Sequence, residues 1–155
     1  MREYRYVVDR EGRIFHEGSE VVDPLVLRFF LRAMRRTAEG RWLVVCQGEQ
    51  NWFEADGTPF VVQRLRVLAP DGGPASVELG LAGDWREPLD PTTLETEDGQ
   101  LFCAVRRGAF RARFGRVAMQ QVAAFLVDDG AGPCLVLGGV RYPIREPAAV
   151  MSHRP

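Results

Sequence analysis

The residues best equipped for chemistry share one tight turn. His16-Glu17-Gly18-Ser19 sets an imidazole, a carboxylate and a hydroxyl within four positions. Together they could orient a polar ligand. The same string is also an ordinary turn, in which Gly18 supplies backbone freedom and Ser19 a local hydrogen bond, and that is the simpler reading. A second polar turn, Cys46-Gln47-Gly48-Glu49-Gln50-Asn51, offers Glu49, which either faces a cleft or accepts backbone hydrogen bonds. A third group is cationic: Arg106, Arg107, Arg111, Arg113 and Arg116, with no acidic residue among them. Guanidinium forks suit carboxylates and phosphates. Strand alternation turns Phe110, Ala112 and Phe114 to the core and places Arg111 and Arg113 on the opposite face. Against them stands an acidic stretch, residues 84–98, with Asp84, Glu87, Asp90, Glu95, Glu97 and Asp98 and a single arginine. Ligand binding and mutual neutralisation across the surface are therefore equally open for these arginines.

Other chemistries are thinly supplied. All 20 basic residues are arginine, and no lysine occurs anywhere. That removes a phosphate-loop lysine, a Schiff-base lysine and a kinase-type lysine. The only histidines are His16 and His153, and none of the three serines lies in Gly-x-Ser-x-Gly. A Ser–His or Cys–His site would have to be assembled by folding alone, so no catalytic residues are assigned. No Cys-x-x-Cys or His-x-x-x-His spacing is present, and neither a metal nor a cofactor is implied. Cys46, Cys103 and Cys134 are far apart in apolar runs, the pattern of buried thiols in a reducing cytosol. The charged start and the lack of an apolar run of about 20 residues point to a cytoplasmic protein with no signal peptide and no membrane partner. A net charge of -1 with no recognition-helix signature argues against nucleic acid.

The elements that must position these side chains read as follows. Strands are expected over residues 4–8 and 13–16, then a helix over 24–38 that starts at Asp23-Pro24 and stops at Gly40. Its wheel is apolar except for Arg28, Arg32, Arg35 and Arg36, which predicts burial over most of its circumference, Phe29 included. Strands follow over 41–46, 51–54, 60–68 and 75–81. Residues 84–98 read as a connector. Strands over 101–105 and 109–114, a second mostly buried helix over 116–127, and a hairpin from 134–137 to 140–144 complete the chain.

The two halves echo each other: Glu11-Gly12-Arg13-Ile14-Phe15 is matched by Asp98-Gly99-Gln100-Leu101-Phe102, each followed by a helix and a strand pair. The fold class is thus α+β, with two similar lobes from a degenerate tandem repeat, each of antiparallel strands on one buried helix. The first lobe spans 1–68, a connecting strand and acidic connector 69–97, the second lobe 98–146, and a loose tail 147–155.

The string Gly12-Arg13-Ile14-Phe15-His16-Glu17-Gly18-Ser19, then Leu43-Val44-Val45 leading to Glu49, and Asp56 with Pro59-Phe60 resemble the bacterial domain of unknown function family 1285. Ile14 stands where that pattern has tryptophan, and Gly57-Thr58 lengthens the later turn. Arg2-Glu3-Tyr4, Asp9, Gly12, Glu49 and Asn51-Trp52-Phe53 also resemble the uncharacterised UPF0598 family. The first resemblance implies tandem α+β repeats around a cleft, with a ligand-binding, regulatory role. The expected function is therefore non-catalytic ligand sensing, a small anionic molecule held between the lobes by His16, Glu17, Ser19, Glu49, Arg111 and Arg113. Alternatives from other classes are a protein–protein adaptor and a small hydrolase or metal-dependent enzyme. A homodimer is a further expectation.

Overall fold

The computed structural model describes residues 2–147, so most of the expected tail, with His153, lies outside it. Asp23 caps the first helix by accepting the Leu25 backbone N–H at 2.9 Å, and Pro24 fills a first-turn position that needs no donor. The helix, α1 (Pro24–Ala33), ends earlier than its composition suggests. Met34 turns extended (ψ 134°) and its side chain is fully buried, so core packing ends the helix there. The chain then pairs as a strand.

The first lobe is one six-stranded sheet built from β1 (Glu3–Val8), β2 (Ile14–His16), β3 (Ser19–Glu20), β4 (Arg35–Arg36), β5 (Trp42–Cys46) and β6 (Glu49–Glu54). Its order is β3-β2-β1-β6-β5-β4. β1 and β6 run parallel, in register Tyr4↔Asn51 and Tyr6↔Phe53. Parallel pairing needs a long crossover, and α1 provides it. The sheet is therefore not wholly antiparallel as expected.

The second lobe carries three smaller sheets. β7 (Val61–Val62), β8 (Arg64–Leu68), β9 (Ser76–Leu81) and β10 (Trp85–Pro88) are followed by β11 (Glu95–Glu97), β12 (Gln100–Val105) and β13 (Phe110–Phe114). After α2 (Arg116–Ala123) come β14 (Leu126–Asp128), β15 (Pro133–Leu137) and β16 (Val140–Pro143). The sheets are β10-β9-β8, β11-β12-β13-β7 and β14-β15-β16. The acidic stretch is structured: it supplies β10 and β11 and buries Leu89 and Leu94. Residues 124–127, expected to prolong α2, give it up where Leu126 and Val127 pair with Leu135 and Cys134.

The architecture is α+β, two sheet-plus-helix lobes. In each, strands before the helix form a hairpin and strands after it form another, and each lobe has one parallel pair (β1 with β6, β7 with β13). In the first lobe both hairpins share a sheet, whereas in the second they occupy different sheets. Phe15 and Phe102 each carry an arginine over the ring, Arg13 at 5.7 Å and Arg111 at 3.6 Å.

A single core runs through both lobes, from Val8, Ile14 and Phe30 to Leu79, Leu94, Phe114, Val122 and Leu137. The helices are less buried than their composition predicts. α1 buries Phe30 and Leu31, and Phe30 meets the rings of Tyr6 and Phe53 at 5.0 Å each. Phe29 points away and is 40% exposed, so the expectation that it is a core residue is overturned. With one sheet face to cover, α1 buries one stripe only. α2 likewise buries only Ala118 and Val122, while Gln121 bonds both backbone groups of Leu65 at 2.7 and 3.1 Å. Between the lobes, α1 lies so close to residues Ala82–Asp84 that a Cβ on Gly83 would sit 2.5 Å from the Arg28 nitrogen. Only glycine fits there, and its φ of 73° demands it too. Among the described residues no helix is long and apolar enough to cross a membrane.

Candidate functional site

Strand register decides where the sequence candidates go. Tyr6 faces His16 across β1 and β2, His16 faces Ser19 across the next turn, and Glu49 shares the face of Asn51 and Phe53 on β6. His16, Ser19 and Glu49 therefore lie on the face of the first sheet that α1 covers. The His16 ring packs 4.9 Å from Tyr6 and 5.9 Å from Tyr4. The Tyr4 hydroxyl donates to Glu49 Oε2 at 3.3 Å, and Arg2 stands 4.0 Å from the same carboxylate. Burial, with the nearby Tyr4 and Glu49, raises the Tyr6 pKa. Glu17 takes the left-handed turn position (φ 50°) and is exposed.

Arg111 and Arg113 are on a different sheet. Arg111 sits over the Phe102 ring, Cζ 3.6 Å from its centroid, and pairs with Glu97 at 2.7 Å and Glu95 at 3.6 Å, both from the acidic stretch. Arg113 is 6% exposed and donates from Nη1 to the Arg10 carbonyl in the β1–β2 turn at 2.9 Å, tying the lobes together. Burial, then the neighbouring Arg10, lowers its pKa. The same turn also caps α2, because Glu11 Oε1 accepts the Arg116 backbone N–H at 3.0 Å where Gly115 has no side chain to do so. The six sequence candidates are thus split between two sheets, and one arginine of the pair neutralises the acidic stretch.

A different part of the cationic segment lines a cavity. About 870 Å³ opens between α1 and the second lobe, lined by Arg32, Trp85, Arg86, Glu87, Arg106 and Arg107 and also by Asp90 and Thr93. Its two carboxylates are already engaged. Glu87 accepts the Trp85 indole N–H at 3.0 Å and the Arg106 backbone N–H at 3.1 Å. Asp90 accepts the Thr92 N–H at 3.1 Å and its hydroxyl at 2.6 Å. Arg106 is engaged as well: Nη1 donates to the Leu31 and Met34 carbonyls at 3.1 and 2.6 Å, closing the C-terminus of α1, and burial lowers its pKa. Arg86 is shared with Glu78 at 3.6 Å. Among the described residues Arg32 and Arg107 have no carboxylate within 4.0 Å.

The turn presenting Arg107 is strained. Arg106, Arg107 and Gly108 have φ of 52°, 58° and 84°. A non-glycine residue in that region costs about 1–2 kcal/mol, and glycine, asparagine or aspartate is the usual occupant. Among the described residues no group of three or more His, Cys, Asp or Glu is placed to hold a metal ion.

The chain aligns with a solved protein of Silicibacter pomeroyi DSS-3, described as a DUF1285 family protein, over 92% of its length and 81% of that chain, with a TM-score of 0.65 and 15% identity. The fold is that of the DUF1285 structures. A second, the DUF1285 family protein of Shewanella baltica OS155, aligns over 72% of this chain and 84% of its own at a TM-score of 0.54 and 11% identity. No family model matches the sequence. No curated protein matches it either. At such identities the DUF1285 likeness is one of fold, so the cavity's chemistry must be argued from this chain's own residues.

Sequence reasoning passed over Arg32, Arg86 and Trp85. Arg32 was visible on the polar stripe of α1, but the meeting of that stripe with β10 and the β12–β13 turn is tertiary. Arg106-Arg107-Gly108 carried a local signal: two arginines where a hairpin turn calls for glycine or asparagine.

Proposed function

We propose that the protein is a non-catalytic sensor that binds a small, multiply charged anion in the cavity between its lobes. The observation that carries this reading is the β12–β13 turn, where Arg107 occupies a left-handed position that glycine would fill without strain, beside a cavity whose carboxylates are already hydrogen-bonded. Strain of this kind gathers at functional sites. Arg32 and Arg107 supply the free charge, Arg86 adds to it, and Arg106 fixes the turn against α1. Arginine forks favour phosphate or carboxylate groups. The contact between α1 and the second lobe gives the anion two bodies to hold at once, the arrangement a sensor needs.

The test uses inorganic pyrophosphate as probe. Millimolar pyrophosphate should raise the melting temperature of the wild type, and Arg32→Ala and Arg107→Ala should each weaken its affinity about 10- to 100-fold, the loss of one charge-assisted hydrogen bond. Equal stabilisation of wild type and the double variant, or none in the wild type, would overturn the assignment.

A further inference from the structure

A second hollow lies wholly within the first lobe. About 520 Å³ is lined by Arg5, Arg36, Arg41, Trp42, Trp52 and Glu54, with the turn glycines Gly40 and Gly57 beside them. That volume is ordinary for a small-molecule site. Register brings the cations together. Arg36 pairs with Trp42 across β4 and β5, and Arg5 pairs with Trp52 across β1 and β6. Arg41 leaves the β4–β5 turn, which is fixed by the Thr37 N–H on the Arg41 carbonyl at 2.7 Å and the Arg41 N–H on the Thr37 hydroxyl at 3.1 Å.

Aromatic rings hold two of the three guanidiniums. Arg41 Cζ stands 3.8 Å from the Trp52 ring centre, and Arg36 Cζ 5.1 Å from that of Trp42. Arg36 also donates from Nε to the Gly40 carbonyl at 3.2 Å, and the Trp52 indole N–H donates to Glu3 at 3.3 Å. Ring contact occupies the face of a guanidinium and leaves N–H groups at its edge for an acceptor. Among the described residues none of Arg5, Arg36 and Arg41 has a carboxylate within 4.0 Å. Like charges gathered without a counter-ion repel each other, and an entering anion relieves that repulsion.

We infer that this hollow binds a nucleoside phosphate. In a chain without lysine, phosphate must be met by guanidinium edges, and three converge here. A planar base stacks on the exposed Arg41–Trp52 pair. Glu54, the one carboxylate of the lining, has no arginine within 4.0 Å and accepts from a ribose hydroxyl or a base amino group. An inorganic anion would use neither the indole nor Glu54. A longer polyanion is turned away by Asp56, Glu97 and Asp98 in the adjoining hollow, which shares Arg36 and Trp42.

The test uses AMP and inorganic phosphate as probes on the Trp85→Phe chain. Trp85 lines the cavity between the lobes, so in that chain all indole fluorescence comes from Trp42 and Trp52. Millimolar AMP should quench it saturably, and phosphate should bind at least about tenfold more weakly. Adding Arg5→Gln or Arg41→Ala, both at exposed positions, should weaken AMP about tenfold with an unchanged circular dichroism spectrum. No quenching by AMP, or equal affinity in both arginine variants and their parent, overturns the site. Equal affinity for AMP and phosphate overturns the nucleotide assignment. The readout belongs to the first lobe alone, so it stands or falls separately from pyrophosphate binding between the lobes.

Discussion

One hairpin holds two arginine pairs, and one member of one pair departs from the other three. Arg111 and Arg113 lie in β13, where regular strand geometry sets them against Phe102, Glu95, Glu97 and the Arg10 carbonyl. Arg106 and Arg107, a few residues earlier, occupy the turn, and only Arg106 is satisfied within the protein. Local charge density is the same for both pairs, so it does not separate structural arginines from binding ones. What separates them is whether neighbouring elements already supply acceptors. Arginines inside a strand meet the side chains of adjacent strands in fixed register, while a turn can hold a guanidinium away from them.

The contrast is sharpest at Arg113. Arg113→Ala should cost about 2–4 kcal/mol in urea unfolding, because it orphans the Arg10 carbonyl and empties a buried site at the lobe junction. Arg113→Met, which keeps the apolar stem and discards a buried charge with no carboxylate partner, should recover most of that loss. Cys103, in β12 beside Ala112, reports on the same junction. Burial pushes its thiol up to about 12, so it should resist iodoacetamide at pH 8.5 in the wild type and label faster in Arg113→Ala. Equal stability of the alanine variant and wild type would dissolve the distinction between the pairs.

Arg111→Ala should cost about 1 kcal/mol, the sum of a half-exposed ion pair and the stacking on Phe102. Adding Glu97→Gln should cost little more, since the pair is already broken. Full additivity of the two losses would show that Arg111 does not act through Glu97. The smallest effect is at Arg107, and it has the opposite sign. Arg107→Gly should raise stability by up to about 1 kcal/mol as the left-handed turn is relieved. A loss of stability in this variant would mean that Arg107 is structural after all.

Much of the fold was legible in the sequence. The helix start at Asp23-Pro24, the turns at Gly12, Gly18 and Gly99, and the division into α+β lobes rest on local rules, and local rules acted. The end of α1 was not legible, because it depends on where Met34 is seated and on Arg35-Arg36 finding Leu43 and Trp42. Phe29 and Phe30 are neighbours of the same type, and only the position of the sheet decides which is buried. The acidic stretch looked like a connector because its two prolines and its carboxylates hide the alternation that places Leu89 and Leu94 in the core. His16, Ser19 and Glu49 share a sheet face because β6 runs parallel beside β1, a pairing no local pattern announces. The cavity arginines come from three separate segments, and their meeting is a product of the whole topology.

The short strand β7 has a consequence for how the chain comes to be folded. Residues 61–62 follow directly on the first sheet, yet they pair with Arg113 and Phe114 of β13, some fifty residues later. During synthesis the first sheet can close once residue 54 is available, whereas Val61 and Val62 must wait for the far hairpin. Until then two of the most buried valines of the finished protein are a bare apolar segment, open to chaperones or to other nascent chains. Long-range parallel pairing is slow because the loop must close before any contact rewards it. The joining of the lobes through β7 is thus a late event, and the cavity between them exists only when folding is nearly complete.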